Sequence, residues 1–366
     1  MHNKIIMLII SILAIEGLCA QNVNKINFPR YAENTRMEMR IPNQINGFIT
    51  LKGDLHTHTY FSDGSVSPDM RVDEAWKTGL DVLAITDHIE YKTNREYITG
   101  DENTSYNLAK KRAVERGIIL IKGTEITRKQ PIYGHFNALF VKDSNKLKVD
   151  DPKAAIEAAI SQGAFVLWNH PAWAVDTCHE FQENLFKNKM IHGIEVFNNT
   201  EFYPRALRWA HEKNLTVFSN SDVHTSIYAN DGVHGAGCAV AVPYRRPMTI
   251  IFAKDRSQAS IKEAMFSRRT LAFFDGYLAG DKQLLMDFCL ACLSVSQIAQ
   301  NDTHITYRID NRYDIPFLLS YGKSKVLLSP NRSLDIKLEK TVDKLKLDLE
   351  NVFVDEFQTL SMSLSL

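Results

Sequence analysis

The sequence predicts an α/β fold, a parallel sheet or barrel, followed by a small antiparallel β domain. Three observations predict it. Seven short apolar segments alternate with helical patterns between residues 48 and 219, the rhythm of repeated βα units. Histidines and carboxylates recur where those segments end, and in this fold class functional groups gather at the carboxyl ends of strands. From about residue 283 the alternation gives way to apolar and polar residues at period two, which describes strands with one buried face.

Residues 1–20 read as a cleaved secretory signal. Lys4 supplies the positive end, residues 5–15 are an apolar run too short to span a bilayer, and Leu18-Cys19-Ala20 precedes Gln21. This predicts an exported protein, periplasmic or extracellular. An uncleaved N-terminal anchor is the other reading. Cys19 raises a lipidated, outer-membrane-associated form, against which Glu16 and Leu18 stand. No later stretch is long and apolar enough to cross a membrane.

Residues 21–47 form a polar lead-in arm, and the alternating α/β region spans 48–282. Its first strand, 48–51, leads into His56-Thr57-His58 and then Asp63. In extended backbone His56 and His58 project to the same side, where two imidazoles can share one metal ion. Pro68 opens a helix over 69–78, closed by Gly79. The second strand, 82–85, runs into Thr86-Asp87-His88. A helix over 106–116 stops at Gly117, and strand 118–121 leads to Gly123-Thr124-Glu125. The fourth strand, 135–141, begins with its histidine, His135. Pro152 starts an alanine-rich helix to 162, and strand 164–168 ends in Asn169-His170-Pro171. A helix over 180–187 precedes strand 193–197, which carries Glu195 and ends at Asn198-Asn199. Pro204 opens a helix to Lys213, and strand 215–219 finishes with Asn220-Ser221-Asp222-Val223-His224. A glycine-rich loop, 232–237, and a helix over 258–268 follow. The β domain, 283–366, contains period-two runs at 305–309, 334–338 and 345–349, and His304 reads as an ordinary strand residue.

Composition excludes some partners. Lys plus Arg and Asp plus Glu both number 43, so no global field favours nucleic acid or an anionic membrane surface. An anionic substrate must be held by local charge. Four cysteines, Cys178, Cys238, Cys289 and Cys292, do not make a disulfide framework in a chain this large, and Cys289-Leu-Ala-Cys292 is expected as buried strand cysteines.

The candidates collected at strand ends are His56, His58, Asp63, His88, Glu125, His135, His170, Asp222 and His224. Imidazole and carboxylate without thiolate suit zinc, manganese or iron(II). So many ligands require two or three ions. Glu195 points either behind the ligands as a support or into a core layer; support is favoured because a buried unpaired carboxylate is costly. His234, Arg268 and Arg269 are candidates for binding a phosphate oxygen, with a solvated helix end as the other reading for the arginines. Trp173 and Tyr203 offer an aromatic wall or ordinary loop packing.

The motifs His56-Thr57-His58, Thr86-Asp87-His88, Gly123-Thr124-Glu125, Asn169-His170-Pro171 and Ser221-Asp222-Val223-His224 resemble those of the PHP superfamily, named for polymerase and histidinol phosphatase. The resemblance covers about residues 48–280. It implies a distorted (β/α)7 barrel, here followed by a β-sandwich-like domain, and a trinuclear site. His56, His58, Glu125 and Asp222 would hold one ion; Glu125 would bridge to a second with His135 and His170; Asp63, His88 and His224 would hold a third. The position of Asp63 is a histidine in some members of the superfamily and an acid in others. Two divalent ions can bridge a water and generate hydroxide for attack on phosphorus, so the expected activity is hydrolysis of a small phosphate ester. The leaving alkoxide needs a metal or a proton: the third ion would serve, or Asp63 or His224 if that ion is absent. An amidohydrolase and a metal-dependent binding module without catalysis are the alternatives; a polymerase-associated nuclease is disfavoured. The oligomeric state is open.

Overall fold

Strand β2 (Phe48–Asp54) is central to the sheet, and both β3 (Val82–Ile85) and β10 (Met248–Ala253) pair with it. The computed structural model describes residues 35–130, 132–171, 178–227 and 246–366, and residues 36–366 make one unit. The predicted signal, most of the arm, Trp173, His234 and Cys238 lie outside the described residues. On one side of β2 the order is β3, β4 (Ile119–Thr127), β5 (His135–Leu139), β6 (Phe165–Trp168), β7 (Gly193–Asn198) and β9 (Thr216–Asn220), with the short β8 (Glu201–Phe202) folded back on β7. A bridge between Thr57 and Val223 brings the chain after β9 back beside the chain after β2. β1 (Gln44–Ile45) pairs with the start of β2.

The helices start where sequence chemistry places them. At α1 (Pro68–Lys77) the Ser67 hydroxyl accepts from the Met70 amide, and Pro68 needs no such acceptor. At α3 (Pro152–Ser161) Asp151 caps the Ala154 amide in the same way. α2 (Thr104–Arg116), α4 (Glu180–Lys187), α5 (Pro204–Glu212) and α6 (Gln258–Phe266) complete the alternation. After α1 the chain must turn beneath residue 37. Gly79 has φ +82°, and a Cβ there would sit 2.4 Å from the Met37 carbonyl oxygen, so only glycine fits.

Three expectations are corrected. The first is strand direction: β2–β3–β4 and β6–β7–β9 are parallel, but β5 is antiparallel to both neighbours, with Thr127 opposite His135. A strand running backwards places its first residue at the edge where its neighbours end. The second is the stretch after the glycine-rich loop, where β10, β11 (Thr270–Phe274) and β12 (Tyr277–Gly280) continue the sheet as an antiparallel extension. β10 is buried throughout, and a short unbroken apolar run carries no period by which to recognise it. The third is the cysteine pair. Cys289 and Cys292 lie on a helix, α7 (Lys282–Cys292), three residues apart on its buried face, and both thiols are free.

The chain ends in β-rich structure. β13 (Leu293–Gln300), β14 (His304–Asn311) and β17 (Ser333–Glu339) form one antiparallel sheet; β15 (Phe317–Tyr321), β16 (Ser324–Leu328), β18 (Lys344–Asp355) and β19 (Gln358–Ser365) pair antiparallel, and β18 lies parallel to β12. One apolar cluster joins Val72, Leu83, Phe252 and Phe273 to Phe288, Phe317 and Leu347. The buried Glu356 receives Arg205 and Arg208 of α5 at 2.5 and 2.8 Å. The C-terminal strands therefore pack directly on the α/β region. Among the described residues no helix is long and apolar enough to cross a membrane.

Candidate metal centre

Six strands deliver the candidate ligands to one edge of the sheet. His56 and His58 follow β2, His88 follows β3, Glu125 lies near the end of β4, His135 starts the reversed β5, His170 follows β6, and Asp222 and His224 follow β9. Asp63 comes from the loop after His58. That loop is folded around the buried Asp87, whose carboxylate accepts from the Thr59 amide (2.7 Å), the Thr59 hydroxyl (2.7 Å) and the Ser62 hydroxyl (2.8 Å). The β2 and β9 ends are tied by the amides of Asp222 and His58, which donate to the carbonyls of His56 (2.9 Å) and Val223 (3.0 Å).

All nine predicted ligands converge. Four sets bring their ligand atoms within 4.8 Å of one another: His58, Asp63, His88 and His224; His56, His58 and Glu125; His56, His170 and Asp222; and Glu125, His135 and His170. Asp222 Oδ1 lies 3.0 Å from both His56 Nε2 and His58 Nε2. Glu125 faces His56, His58, His88 and His135 at 3.6, 3.5, 2.6 and 3.2 Å. Asp63 lies 3.5 Å from His88 and 3.3 Å from His224.

Charge and unmet bonding identify what fits. His56 Nε2, His58 Nε2, Asp63 Oδ1, Glu125 Oε2 and Asp222 Oδ1 are buried and make no well-formed hydrogen bond among the described residues, although they face one another closely. Burial opposes ionisation of Glu125, Asp222 and Asp63, yet the surrounding imidazoles hold all three carboxyls well below their usual range. Burial lowers His58, helped by His224 and His88, to about 3, so it is a neutral donor. Burial is also the largest single influence on His88, but the Glu125 and Asp63 carboxylates together outweigh it and raise that imidazole to about 10; against burial, Asp222, Glu195 and Glu125 likewise raise His56. Without a metal, protons on these histidines supply the positive charge the carboxylates demand. Divalent cations meet the same demand and satisfy these buried atoms, so the donor set fits them.

A surrounding layer fixes the ligands. Glu195 accepts from His56 Nδ1–H (2.9 Å), the His170 amide (2.7 Å), and the side-chain amides of Asn198 (2.7 Å) and Asn220 (2.8 Å). It contacts a candidate ligand and has no unmet charge. Asn169 donates to Glu125 Oε1 at 2.9 Å. Arg71 of α1, fully buried, donates to the carbonyls of His58 (2.8 Å), Val223 (3.2 Å) and Thr225 (3.1 Å) and pairs with Glu74 at 2.6 Å. Glu74 in turn accepts from Ser226 and the Ile227 amide. Buried Arg246 pairs with Asp54, which also accepts from Ser221. Sequence reasoning missed Arg71, Glu74, Asp54 and Arg246. Asp87 stood in a recognised motif, whereas a charged residue on a helix reads as solvated until tertiary structure buries it.

The centre opens into a cleft of about 470 Å³, lined by His88, His135, His170 and Asp222 together with Tyr91, Asn198, Glu201 and Tyr203. Tyr203 therefore does reach the cleft. Arg268 and Arg269 do not: Arg269 bonds the carbonyl of Phe252, which pairs with Thr50 at the start of β2, and Arg268 bonds Asn214. Thr50 precedes His56 by six residues of largely extended chain, roughly 20 Å, so the expectation that these arginines bind substrate is withdrawn.

The PHP domain family model matches residues 54–196. A crystal structure of a two-domain protein from Bacteroides vulgatus, containing a predicted PHP-like metal-dependent phosphoesterase, superposes with TM-score 0.84 at 34% identity, covering 91% of this chain and 99% of that one. An uncharacterized protein of Methanocaldococcus jannaschii is 29% identical over 159 residues, 40% of this chain and 82% of that protein. A proposed metal-dependent phosphoesterase of Bifidobacterium adolescentis matches at TM-score 0.38 and 19% identity, over 50% of this chain and 89% of its own, too distant to bear on the fold. With its motifs in place and a two-domain relative, 34% identical, matched over 91% of this chain, this chain belongs to the PHP family.

Proposed function

We propose that the chain hydrolyses phosphate esters of small molecules at this centre, using two or three divalent ions of zinc, manganese or iron(II). The observation that carries the reading is the convergence of nine histidine and carboxylate side chains, with buried ligand atoms lacking well-formed hydrogen bonds, at one cleft. His56, His58, Glu125 and Asp222 would hold one ion, Glu125, His135 and His170 a second, and Asp63, His88 and His224 a third. Such ions, when bound, lower the pKa of water toward neutrality and neutralise phosphoryl oxygens. Glu125 and Asp222 keep the fixed negative charge that retains cations. If the third ion is absent, Asp63 or His224, which lie 3.3 Å apart, would supply the proton that the departing alkoxide needs; if it is bound, the ion would serve in their place. A cleft of this size suits a small organic phosphate.

The strand order and the Thr57–Val223 bridge support reading the α/β region as a distorted (β/α)7 barrel, with the C-terminal sheets as a sandwich-like domain over 283–366. His234 stays a proposed phosphate contact. Export through a signal at residues 1–20 is part of the same proposal, and fractionation of the expressing cell tests it.

The direct test joins elemental analysis of the purified protein with phosphate release from a panel of esters, run beside amides and lactones. Bound zinc, manganese or iron, with phosphate release that disappears in His58→Ala, is the expected result. Turnover of amides or lactones alone would favour the amidohydrolase reading, and metal without turnover the binding-module reading.

A further inference from the structure

We propose that the cleft wall formed by Asn198, Glu201 and Tyr203 binds a leaving group rich in hydroxyl donors, so that the preferred ester is the phosphate of a polyhydroxylated alcohol. The inference rests on the phosphoesterase reading and names its substrate class.

The wall is built on the strands that deliver the ligands. β7 ends at the metal side, beside the ends of β6 and β9. The chain reverses at Asn199, φ +53°, and returns as β8, with Asn198 opposite Glu201. The Asn199 amide donates to the Asn220 carbonyl at 3.1 Å, which ties the hairpin to β9, two residues before Asp222. Asn198, Glu201 and Tyr203 line the same cleft as His170, Asp222 and His224. Asn198 and Tyr203 are 4% and 6% exposed and held by packing, while Glu201 is exposed.

Donor accounting gives it a polarity. The Tyr203 hydroxyl donates to Glu201 Oε2 at 2.5 Å. Burial, reinforced by that bond, raises the phenol, so its proton stays committed there. The Asn198 amide group donates to Glu195 at 2.7 Å. What remains on these side chains is mostly acceptors: Glu201 Oε1, the Tyr203 oxygen lone pairs and Asn198 Oδ1, against one remaining N–H of Asn198. A phosphoryl group carries acceptor oxygens and negative charge, so it is repelled here and goes to the histidine end. The complement of three acceptors is a set of hydroxyl donors. The exposed ring of Tyr91, which lines the same cleft and lies T-shaped to His88 at 5.9 Å, offers apolar surface to the C–H groups of such an alcohol.

The test compares three esters on the metal-loaded protein: glucose 1-phosphate, cyclohexyl phosphate and 2-aminoethyl phosphate. The expected result is a kcat/KM for the glucose ester at least about tenfold above either other, carried mainly by KM, because a site built to bond hydroxyls rejects analogues lacking them. Glu201→Gln and Tyr203→Phe should each pull that ratio toward parity, the second guarding against a folding defect in the first. In the metal-free protein, ligand-observed NMR should show saturation transfer to glucose above that to cyclohexanol, and the difference should shrink in Glu201→Gln. Equal efficiency on all three esters, preference for the cyclohexyl or aminoethyl ester, or an unchanged ratio in both variants overturns the inference alone. Phosphate release from none of them overturns the phosphoesterase reading as well, and this inference with it.

Discussion

Arg71 ties two ligand-bearing loops together, and its removal should separate stability from metal affinity. Its guanidinium reaches the carbonyls of His58, Val223 and Thr225 and the Glu74 carboxylate from a fully buried position. Breaking a buried pair by deleting one partner costs about 3–5 kcal/mol, because the other charge is left uncompensated. Arg71→Met should therefore lower the unfolding free energy of the metal-free protein by about that amount, read by urea denaturation. Arg71→Lys is the more telling change. It keeps the charge beside Glu74 but loses the planar fork, so one ammonium must serve carbonyls on both loops. The stability cost should fall to about 1–2 kcal/mol, while affinity for zinc, measured by competition with a chromogenic chelator, should still drop about tenfold, as when groups orienting metal ligands are lost. Should Arg71→Lys bind zinc as tightly as the parent, Arg71 is a core ion pair and nothing more.

Three further outcomes are expected. Glu195→Gln keeps the shape but turns an amide donor toward groups that already donate to it, so zinc affinity should fall about 10–100-fold in the same competition titration, with little change in secondary structure by circular dichroism. His192 accepts from the Val166 amide at 2.9 Å, and burial, with Lys262 nearby, lowers it to about 4. The folded chain then stays unprotonated there while the unfolded chain takes up a proton near pH 6.5. Stability should fall as pH drops from about 6.5 to 4 and level off below, by up to about 3 kcal/mol, and His192→Gln, whose carbonyl can still accept from Val166, should flatten that limb in parallel urea titrations. Gly79→Ala should cost more than about 1 kcal/mol, since its Cβ would lie 2.4 Å from the Met37 carbonyl at φ +82°; an unchanged urea midpoint would refute the strain argument.

Much of the ligand set was legible because βα alternation is periodic and the chemistry sits where the period breaks. His56, His58, Glu125 and Asp222 could be read this way without any contact being known. His135 looked misplaced at the head of its strand, and only the reversal of β5 explains it, since strand direction is set by pairing partners and leaves no mark on a five-residue run. β10 and α7 were missed or mistyped for a related reason: unbroken apolar residues bury equally well as strand or helix. The hidden ion pairs, Arg71 with Glu74 and Arg246 with Asp54, were invisible because burial of a charge is a tertiary event. Arg268 and Arg269 illustrate the converse. Their position after a helix suggested phosphate binding, yet the register of β10 on β2 carries them to the far end of the sheet.

The central claim, that these nine side chains close around divalent cations, is tested most directly by anomalous diffraction from crystals of the protein loaded with zinc or manganese. Anomalous peaks are expected between Asp222, His56, His58 and Glu125, between Glu125, His135 and His170, and, where a third ion binds, among Asp63, His88 and His224, with the buried nitrogens and oxygens turned onto them. Density showing the same side chains hydrogen-bonded to one another, without a peak among them at saturating metal, would contradict it.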